Sequence, residues 1–427
     1  VYKAIIKYIN LNMKNLHIKN TIINLNNTEL SLDFIEWFRG FTDAEGCFQI
    51  TKRTSGSFEF RYSIGLHIDD QAALKYIQEN LQIGKVTLNN RQNIATYNVM
   101  AKEEVTLLIQ LFSMFNLNSN KHLNFLTFKE AFILYDSLNN NNRPEIITLI
   151  ENLKSSMNTK RTEFLMPKEH SIKITPYWML GFIEGDGSFS FKTLSKSAFF
   201  TIGQKGNKEL LLDILDFLNN LGINNQTLNE NTELDGLLDN SINNNRVNLS
   251  VSKDIYSINT SNVTFIQYAL IPLLDSLNWR TKKYLDYIDW KYLIAILIKG
   301  FHYLPKGIEL IEKITNQMNN YRLSTYEPKV QSVSFKSEVE ELLKQPSNYE
   351  IKEGKLFITS LNRFRINNTS LSLVLVDLNT NVSLNLFSSQ LECANYLGIA
   401  RSTVKNRVLK GQSFLFKDRL VILKRNN

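Results

Sequence analysis

The sequence predicts an α+β protein made of two pseudo-symmetric αββαββα half-domains and a small C-terminal helix-turn-helix module. Three observations carry this prediction. A helical segment ending in an acid and a glycine occurs twice, 141 residues apart. Each copy is followed by paired runs that alternate apolar and polar residues, the period of a half-buried strand. Near the C-terminus, two short amphipathic runs separated by a glycine read as a helical hairpin whose second helix is basic.

Composition sets the bounds. A chain of 427 residues suggests two or three domains, and 43% hydrophobic with 11% aromatic content is enough to build cores. The two cysteines, Cys47 and Cys393, are far apart, and the five His follow no H-E-x-x-H spacing, so disulfide frameworks and common zinc hydrolases are excluded. The longest apolar run, Tyr292 to Ile298, is far short of the ~20 residues a membrane span needs, so no membrane partner is expected. Lys and Arg outnumber Asp and Glu by 49 to 41, which favours a polyanionic partner. Residues 401–427 hold eight basic side chains and one acid, Asp418, a net charge of +7. Abundant Asn, Ile and Lys with scarce Gly and Pro point to an A/T-rich genome, such as an organelle's. The expected divisions are an N-terminal arm (1–30), a first half (31–140), a helical linker (141–173), a second half (174–326), a connector (327–370) and a C-terminal module (371–427). Residues 1–30 are rich in Lys, Asn and Ile and lack Arg, so they read as a leader or arm rather than a transit peptide.

Aligning Gly40 with Gly181 also aligns Phe41 with Phe182, Asp43 with Glu184, Glu45 with Asp186 and Gly46 with Gly187. Asp33 with Glu36 suggests a capping box for the first helix, and Thr175-Pro176 suggests a cap for the second. Gly40/Ala44 and Gly181/Gly185 form a stripe without bulk at i, i+4, so the two helices can approach backbone to backbone. Glu45 and Asp186 then converge at helix C-termini, where they repel each other and oppose the helix dipoles. A divalent cation relieves that conflict, and oxygen ligands without Cys or His favour Mg²⁺ over zinc.

Hairpins follow each helix. Alternation places Gln49, Thr51, Arg53, Arg61 and Ser63 opposite Phe48, Ile50, Phe60 and Tyr62. A second hairpin presents Thr87, Asn89, Arg91, Thr96 and Asn98. The second half offers Ser190, Lys192, Thr201, Asn248 and Ser250. Asn, Gln and Arg read purine edges bidentately, and a two-stranded ribbon fits the major groove. Helices are expected at 121–138 and 282–298, with Leu123-Asn124-Phe125 matching Leu285-Asp286-Tyr287, and an Asn-rich insertion at 224–245.

The motifs Phe38-Arg39-Gly40-Phe41-Thr42-Asp43-Ala44-Glu45-Gly46 and Met179-Leu180-Gly181-Phe182-Ile183-Glu184-Gly185-Asp186-Gly187 resemble those of the two-repeat, monomeric LAGLIDADG homing endonucleases, over roughly residues 30–325. The resemblance implies saddle-shaped antiparallel sheets and divalent-metal catalysis at Glu45 and Asp186, with Mg²⁺ as the ion and Mn²⁺ as a substitute. It also implies cleavage of long double-stranded DNA targets across the minor groove, in an organelle-encoded, mitochondrial setting. It further implies that Gln204 and an aligned Asp70 order solvent near the metals, and that Lys121, Lys282 and Lys283 face the scissile phosphates. Arg39 and Thr42 depart from the family pattern and are expected to weaken the helix contact slightly. Some family members assist splicing of their own intron RNA, which is the main rival function. A DNA-binding regulator is a third reading, but it leaves the duplicated acids unexplained.

In the C-terminal module, Ser389 with Glu392 forms a capping box, Leu391, Ala394 and Leu397 form an inner face, and Gly398 ends the first helix. The second helix buries Val404 and Val408 and exposes Arg401, Thr403, Lys405, Asn406 and Arg407. The module resembles the nuclease-associated modular repeat, with a strand at Leu373–Asp377 before it.

Overall fold

The computed structural model describes residues 22–25, 28–138, 143–193, 195–221, 246–329, 332–365, 372–387 and 389–425. Most of the expected N-terminal arm, the stretch 139–142, Leu194, the Asn-rich insertion and residues 366–371 lie outside the described residues. Two compact units are distinguished, one extending to Gln345 and one beginning at Pro346.

The first unit contains both halves. Helix α1, Leu32–Glu45, starts on Ser31, whose hydroxyl accepts from Phe34 N at 3.2 Å. The cap thus lies two residues before the expected Asp33. Thr175 caps the second motif helix, Pro176–Asp186, as expected, by accepting from Trp178 N. The two helices meet along their glycines. A methyl group at Gly40 would collide with the carbonyl oxygen of Trp178, and one at Gly181 with that of Trp37. A methyl group at Gly185 would fall equally close to Ala44 Cβ. Backbones in direct contact tolerate no Cβ at these positions.

Two indole–carboxylate bonds lock this contact. Trp37 Nε1 donates to Glu184 Oε2 at 2.5 Å, and Trp178 Nε1 donates to Asp43 Oδ2 at 2.9 Å. Both crossings link equivalent residues of the repeat. The side chains of Arg39 and Thr42, where the motif departs from the family pattern, bond within the first half and to the linker. Arg39 is buried, pairs with Glu36 at 3.0 Å and donates to the carbonyls of Asn116 and Lys173. Thr42 bonds Tyr62 at 2.7 Å.

Each half has a four-stranded antiparallel sheet, in the orders β3-β4-β6-β5 and β7-β8-β10-β9. The strands are β1 Ile22–Leu25 and β2 Thr28–Ser31, which pair with each other ahead of the first motif helix, then β3 Gly46–Lys52, β4 Phe58–His67, β5 Lys85–Asn89 and β6 Ile94–Val99, and β7 Gly187–Lys192, β8 Ser197–Lys205, β9 Asn248–Ser252 and β10 Ile255–Thr260. One face of each sheet is core: Phe48, Phe60, Tyr62 and Tyr97 in the first half, and Phe189, Phe200, Ile202 and Ile258 in the second. The other face is polar and open. Arg91 sits in the turn after β5 rather than on the strand, because the chain reverses at 90–93 with Asn93 at φ 55°.

The halves hold more helix than expected. Lys102–Met114 adds a helix that buries Val105, Leu108, Ile109 and Phe112, and residues 263–275 are its counterpart, with a π turn at Ile266–Leu270. The repeat also runs past the expected boundary. The "linker" helix Arg143–Ser155 buries Ile146 and Ile150 in the first core, as Pro305–Thr315 buries Leu310, Ile311 and Ile314 in the second. After each comes a left-handed asparagine: Asn158 donates to Phe48 O and Asn319 to Phe189 O. Arg161 then donates to Asn124 Oδ1, and Arg322 to Asp286 Oδ1. The second core continues through Phe335, which precedes the helix Lys336–Leu343, and through Val339 and Leu342 on it, so it ends beyond 326. At the other end, Leu30 on the strand Thr28–Ser31 is buried, so the first half begins before residue 31.

The second unit contains a three-stranded sheet, β11 Tyr349–Lys352, β12 Lys355–Ile358 and β13 Arg363–Phe364, where the sequence predicts a featureless connector. A four-stranded sheet follows, β15-β14-β17-β16, from β14 Leu373–Asp377, β15 Ser383–Phe387, β16 Phe414–Phe416 and β17 Arg419–Arg425. Its core includes Leu373, Leu375, Val421, Leu423, Cys393 and Val404. The helices are Gln390–Leu397, capped by Ser389, and Arg401–Lys410. Leu391 is 55% exposed, and the inner face is Gln390, Cys393 and Ala394, with Leu397 half-buried beside them as expected.

Gly40→Ala should lower stability by about 1–3 kcal/mol, the range for overpacking a tight interface, measured by urea unfolding. A variant as stable as the parent would show that the helices can separate freely. A second expectation concerns pH. His122 is buried with its ring centroid 4.6 Å from that of His170, and burial, then the charges of His170 and Lys129, hold its imidazole down at about 4. The unfolded side chain titrates near 6.5. The unfolded chain therefore binds more protons between these values, and stability present above about 6.5 is lost as pH falls towards 4. His122→Phe should remove a component on the order of 3 kcal/mol from the acid unfolding profile, while an unchanged profile would contradict it.

Candidate active site and nucleic-acid interface

The site grows out of the helix contact. Because Gly40, Gly181 and Gly185 bring the helices together, their C-terminal acids end at the junction of the halves. Burial, then repulsion from Asp186, raises the Glu45 carboxyl above its ordinary pKa, against the pull of Lys121 and Lys283. Burial likewise raises Asp186, against its hydrogen bond from Gln204 and the same two lysines. Two acids pushed towards their neutral forms are a site that a cation stabilises.

The neighbours are ordered in layers. Gln204 Nε2 donates to Asp186 Oδ2 at 2.6 Å, and Asn207 Nδ2 donates to Gln204 Oε1 at 2.8 Å. Asp70 lies close enough to help raise Glu45. It is not the register equivalent of Gln204, however. Gly46 pairs with Ile64 and Gly187 with Ile202, so Gln204 corresponds to Leu66. Asp70 instead acts as Asn207 does. Asp70 Oδ1 accepts from Lys282 N at 2.6 Å, and Asn207 Oδ1 accepts from Asn120 N at 2.7 Å. Each ties its own half to the start of a helix in the other.

The lysines divide into two roles. Lys121 Nζ donates to Ala44 O, and Lys283 Nζ donates to Gly185 O and Gly187 O at 2.7 Å each. Both therefore cap the C-terminus of a motif helix, where a cation offsets the dipole. Burial lowers the pKa of each, opposed by Asp186 and Glu45. Lys282 is engaged elsewhere: its ammonium donates to Asp69 Oδ2 at 2.5 Å and to Arg322 O at 2.7 Å.

Sequence reasoning missed the support for these groups. Asp43 accepts from Asn118 N and Ser119 N, and Glu184 accepts from Arg280 N and Thr281 N, just before the helices that carry Lys121 and Lys283. The first acid of each motif thus fixes the lysine that caps its helix. The alignment of Asp43 with Glu184 and the 141-residue spacing of Trp37 and Trp178 are the signals in the sequence that point to it.

On the open faces, Gln49, Thr51, Arg61 and Ser63, with Thr87, Asn89, Thr96 and Asn98, lie on the polar side of the first sheet, while Arg53, expected on the strand, sits just past the end of β3 in the turn before β4. Ser190, Lys192, Thr201, Asn248 and Ser250 lie on that of the second. Asn259, unremarked in the sequence, joins two of them, accepting from Thr201 Oγ1 at 3.1 Å and donating to Ser250 Oγ at 2.8 Å. In the C-terminal unit Arg401, Lys405 and Asn406 are exposed. Thr403 is half-buried, and Arg407 stacks on Phe414 at 3.8 Å from the ring centroid rather than standing free.

The donor set fits a hard divalent ion: two carboxylates, without thiol or imidazole. Among the described residues no cluster of three or more His, Cys, Asp and Glu side chains forms a metal-binding group.

These features define a class of protein in which an internal duplication holds one acid from each half at a pseudo-two-fold axis, beside two polar sheets. The LAGLIDADG endonuclease family model matches residues 38–132 and 179–294, and the chain belongs to this family in its two-domain homing endonuclease form. Endonucleases of the family depend on divalent metal ions. The chain is 26% identical over 408 residues to the uncharacterized mitochondrial protein RF1 of Saccharomyces cerevisiae, covering 92% of this chain and 82% of that one. It is 29% identical over 196 residues to the probable intron-encoded endonuclease Cox1-I1b of Schizosaccharomyces pombe, covering 44% of this chain and 50% of that one. The chain therefore spans about half the length of that endonuclease. Among solved structures, the LAGLIDADG homing endonuclease I-GzeII in complex with its DNA target is similar, with 25% identity, a TM-score of 0.54, and coverage of 67% of this chain and 99% of that one. The relatives support a mitochondrial origin, in line with the A/T-skewed composition.

Proposed function

We propose that this chain is a site-specific homing endonuclease that makes a double-strand cut in a long DNA target and so promotes the mobility of its intron. The observation that carries this reading is the convergence of Glu45 and Asp186, one from each half, at the helix ends from which the first strand of each sheet starts. Both acids come from one chain, so a monomer suffices.

In this reading Glu45 and Asp186 hold Mg²⁺, with Mn²⁺ as a substitute. When bound, the ion supplies an activated water and neutralises charge on the leaving oxygen. Gln204 fixes the rotamer of Asp186 and is itself held by Asn207. Lys121 and Lys283 hold the helix ends and place positive charge beside the scissile phosphates. The strand faces read bases in the major groove, and the exposed basic residues of the C-terminal unit contact phosphates. The rival reading, an RNA-splicing cofactor of the same fold acting on its own intron RNA, is less favoured. Both motif acids are retained and brought together, which cleavage requires and splicing does not.

Glu45→Gln or Asp186→Asn should abolish double-strand cleavage in Mg²⁺ while leaving target affinity within roughly tenfold, since the sheets supply most of the binding. A variant that cuts both strands at the parental rate would refute the assignment. The combined substitution Arg401→Ala, Lys405→Ala, Asn406→Ala should weaken binding and flatten its salt dependence by about 0.9 log unit for each phosphate the helix no longer neutralises. An unchanged salt slope would show that this helix does not touch the target.

A further inference from the structure

The two reading faces differ in chemistry at equivalent strand positions. Strand register pairs Thr51 with Glu59 and Gln49 with Arg61 in the first half, and Lys192 with Ser197 and Ser190 with Phe199 in the second. Glu59 therefore corresponds to Ser197, and Arg61 to Phe199.

In the first half a carboxylate stands between two guanidinium groups on the open face. Arg53 NH2 donates to Glu59 Oε2 at 2.6 Å, and Arg61 Nε lies 4.0 Å from Glu59 Oε1, too far for a hydrogen bond. The Arg53 side chain is 60% exposed and that of Arg61 36%. Pairs this exposed contribute at most about 1 kcal/mol, so stability does not account for the arrangement. Nor does affinity for a polyanion, since Glu59 repels phosphate. A carboxylate on a DNA-reading face gains only where it meets a donor. The major-groove donors are the exocyclic amines of cytosine and adenine, and adenine's stands beside the N7 acceptor, which repels a carboxylate, so cytosine is the better match. Guanine presents O6 and N7 to a guanidinium.

The second half has no carboxylate at this place. Phe199 lies half-buried on the polar side of its sheet, with Lys192 Nζ 4.2 Å from its ring centroid. A phenyl ring makes no hydrogen bond to a base edge, and the group it meets favourably in the major groove is the thymine methyl.

We propose that these positions make the two half-sites chemically unequal: the first half reads a G·C pair through Arg61 and Glu59, with Arg53 fixing the carboxylate, and the second reads a thymine through Phe199. This inference rests on the sheets being the DNA-reading faces.

The test uses the full chain and a library holding every single-base-pair substitution of its cleaved target, each variant being scored against its own best substrate. The parent should prefer G·C at one position of one half-site by about 5-fold to 150-fold, the range of a bidentate side chain–base pairing. It should also prefer thymine at a position of the other half-site at a similar distance from the cut. Arg61→Lys keeps the charge but removes the planar fork, and should flatten the G·C preference. Glu59→Gln should shift it, and Phe199→Ser should flatten the thymine preference while leaving the first half-site's profile intact. If a defined target is cut but these variants leave both profiles as in the parent, the inference is overturned and the nuclease reading stands. If the parent neither binds nor cuts any defined duplex, both fall.

Discussion

The close approach of two helix backbones at Gly40 and Gly181 is the constraint on which the rest of the structure depends. It sets the relation of the two halves, and through them the separation of the two acids and the course of the two sheets. Apolar burial could hold the halves together but would not fix their register. The paired bonds from Trp37 to Glu184 and from Trp178 to Asp43 supply that register, because a one-turn slip would leave two buried carboxylates without their indole donors. The same carboxylates receive the backbone N–H groups ahead of the helix that carries Lys121 or Lys283 in each half. One interaction thus positions the acids, the lysines and the strands that begin at Gly46 and Gly187.

The site holds an electrostatic conflict that the fold reduces but does not abolish. Glu45 and Asp186 are partly desolvated and sit at helix C-termini, where the dipole is unfavourable to them. Lys121 and Lys283 occupy the helix-end carbonyls and offset part of this cost. They do not offset all of it, since both carboxyls remain raised. The residual penalty is available to a divalent ion, and this links the stability of the junction to its chemistry.

Much of this was legible in the sequence, for identifiable reasons. Glycine spacing and a terminal acid are local signals, and their repetition at a fixed offset is improbable by chance. The strand faces followed from period-two alternation, which survives burial on one side. What escaped was set by tertiary structure. Arg39 reads as an intrusion into an apolar helix until its partners Glu36, Asn116 and Lys173 are seen around it. Asp70 and Gln204 align by eye, but hydrogen-bond register separates them. The helix Arg143–Ser155 has only Ile146 and Ile150 fully buried, so its place in the repeat appears only beside Pro305–Thr315. The basic tail masked β17, because charges at both ends of Arg419–Arg425 conceal the alternating Val421 and Leu423.

The central claim is that the acids of the two halves form one shared divalent-ion site rather than two independent ones. Electron paramagnetic resonance of Mn²⁺ bound to the protein–target complex tests this directly, comparing the parent with Glu45→Gln and Asp186→Asn taken singly. With a shared site, either substitution should weaken Mn²⁺ binding by about tenfold or more, since even groups behind the ligands cost that much when removed. Parental Mn²⁺ affinity in both single variants would contradict it.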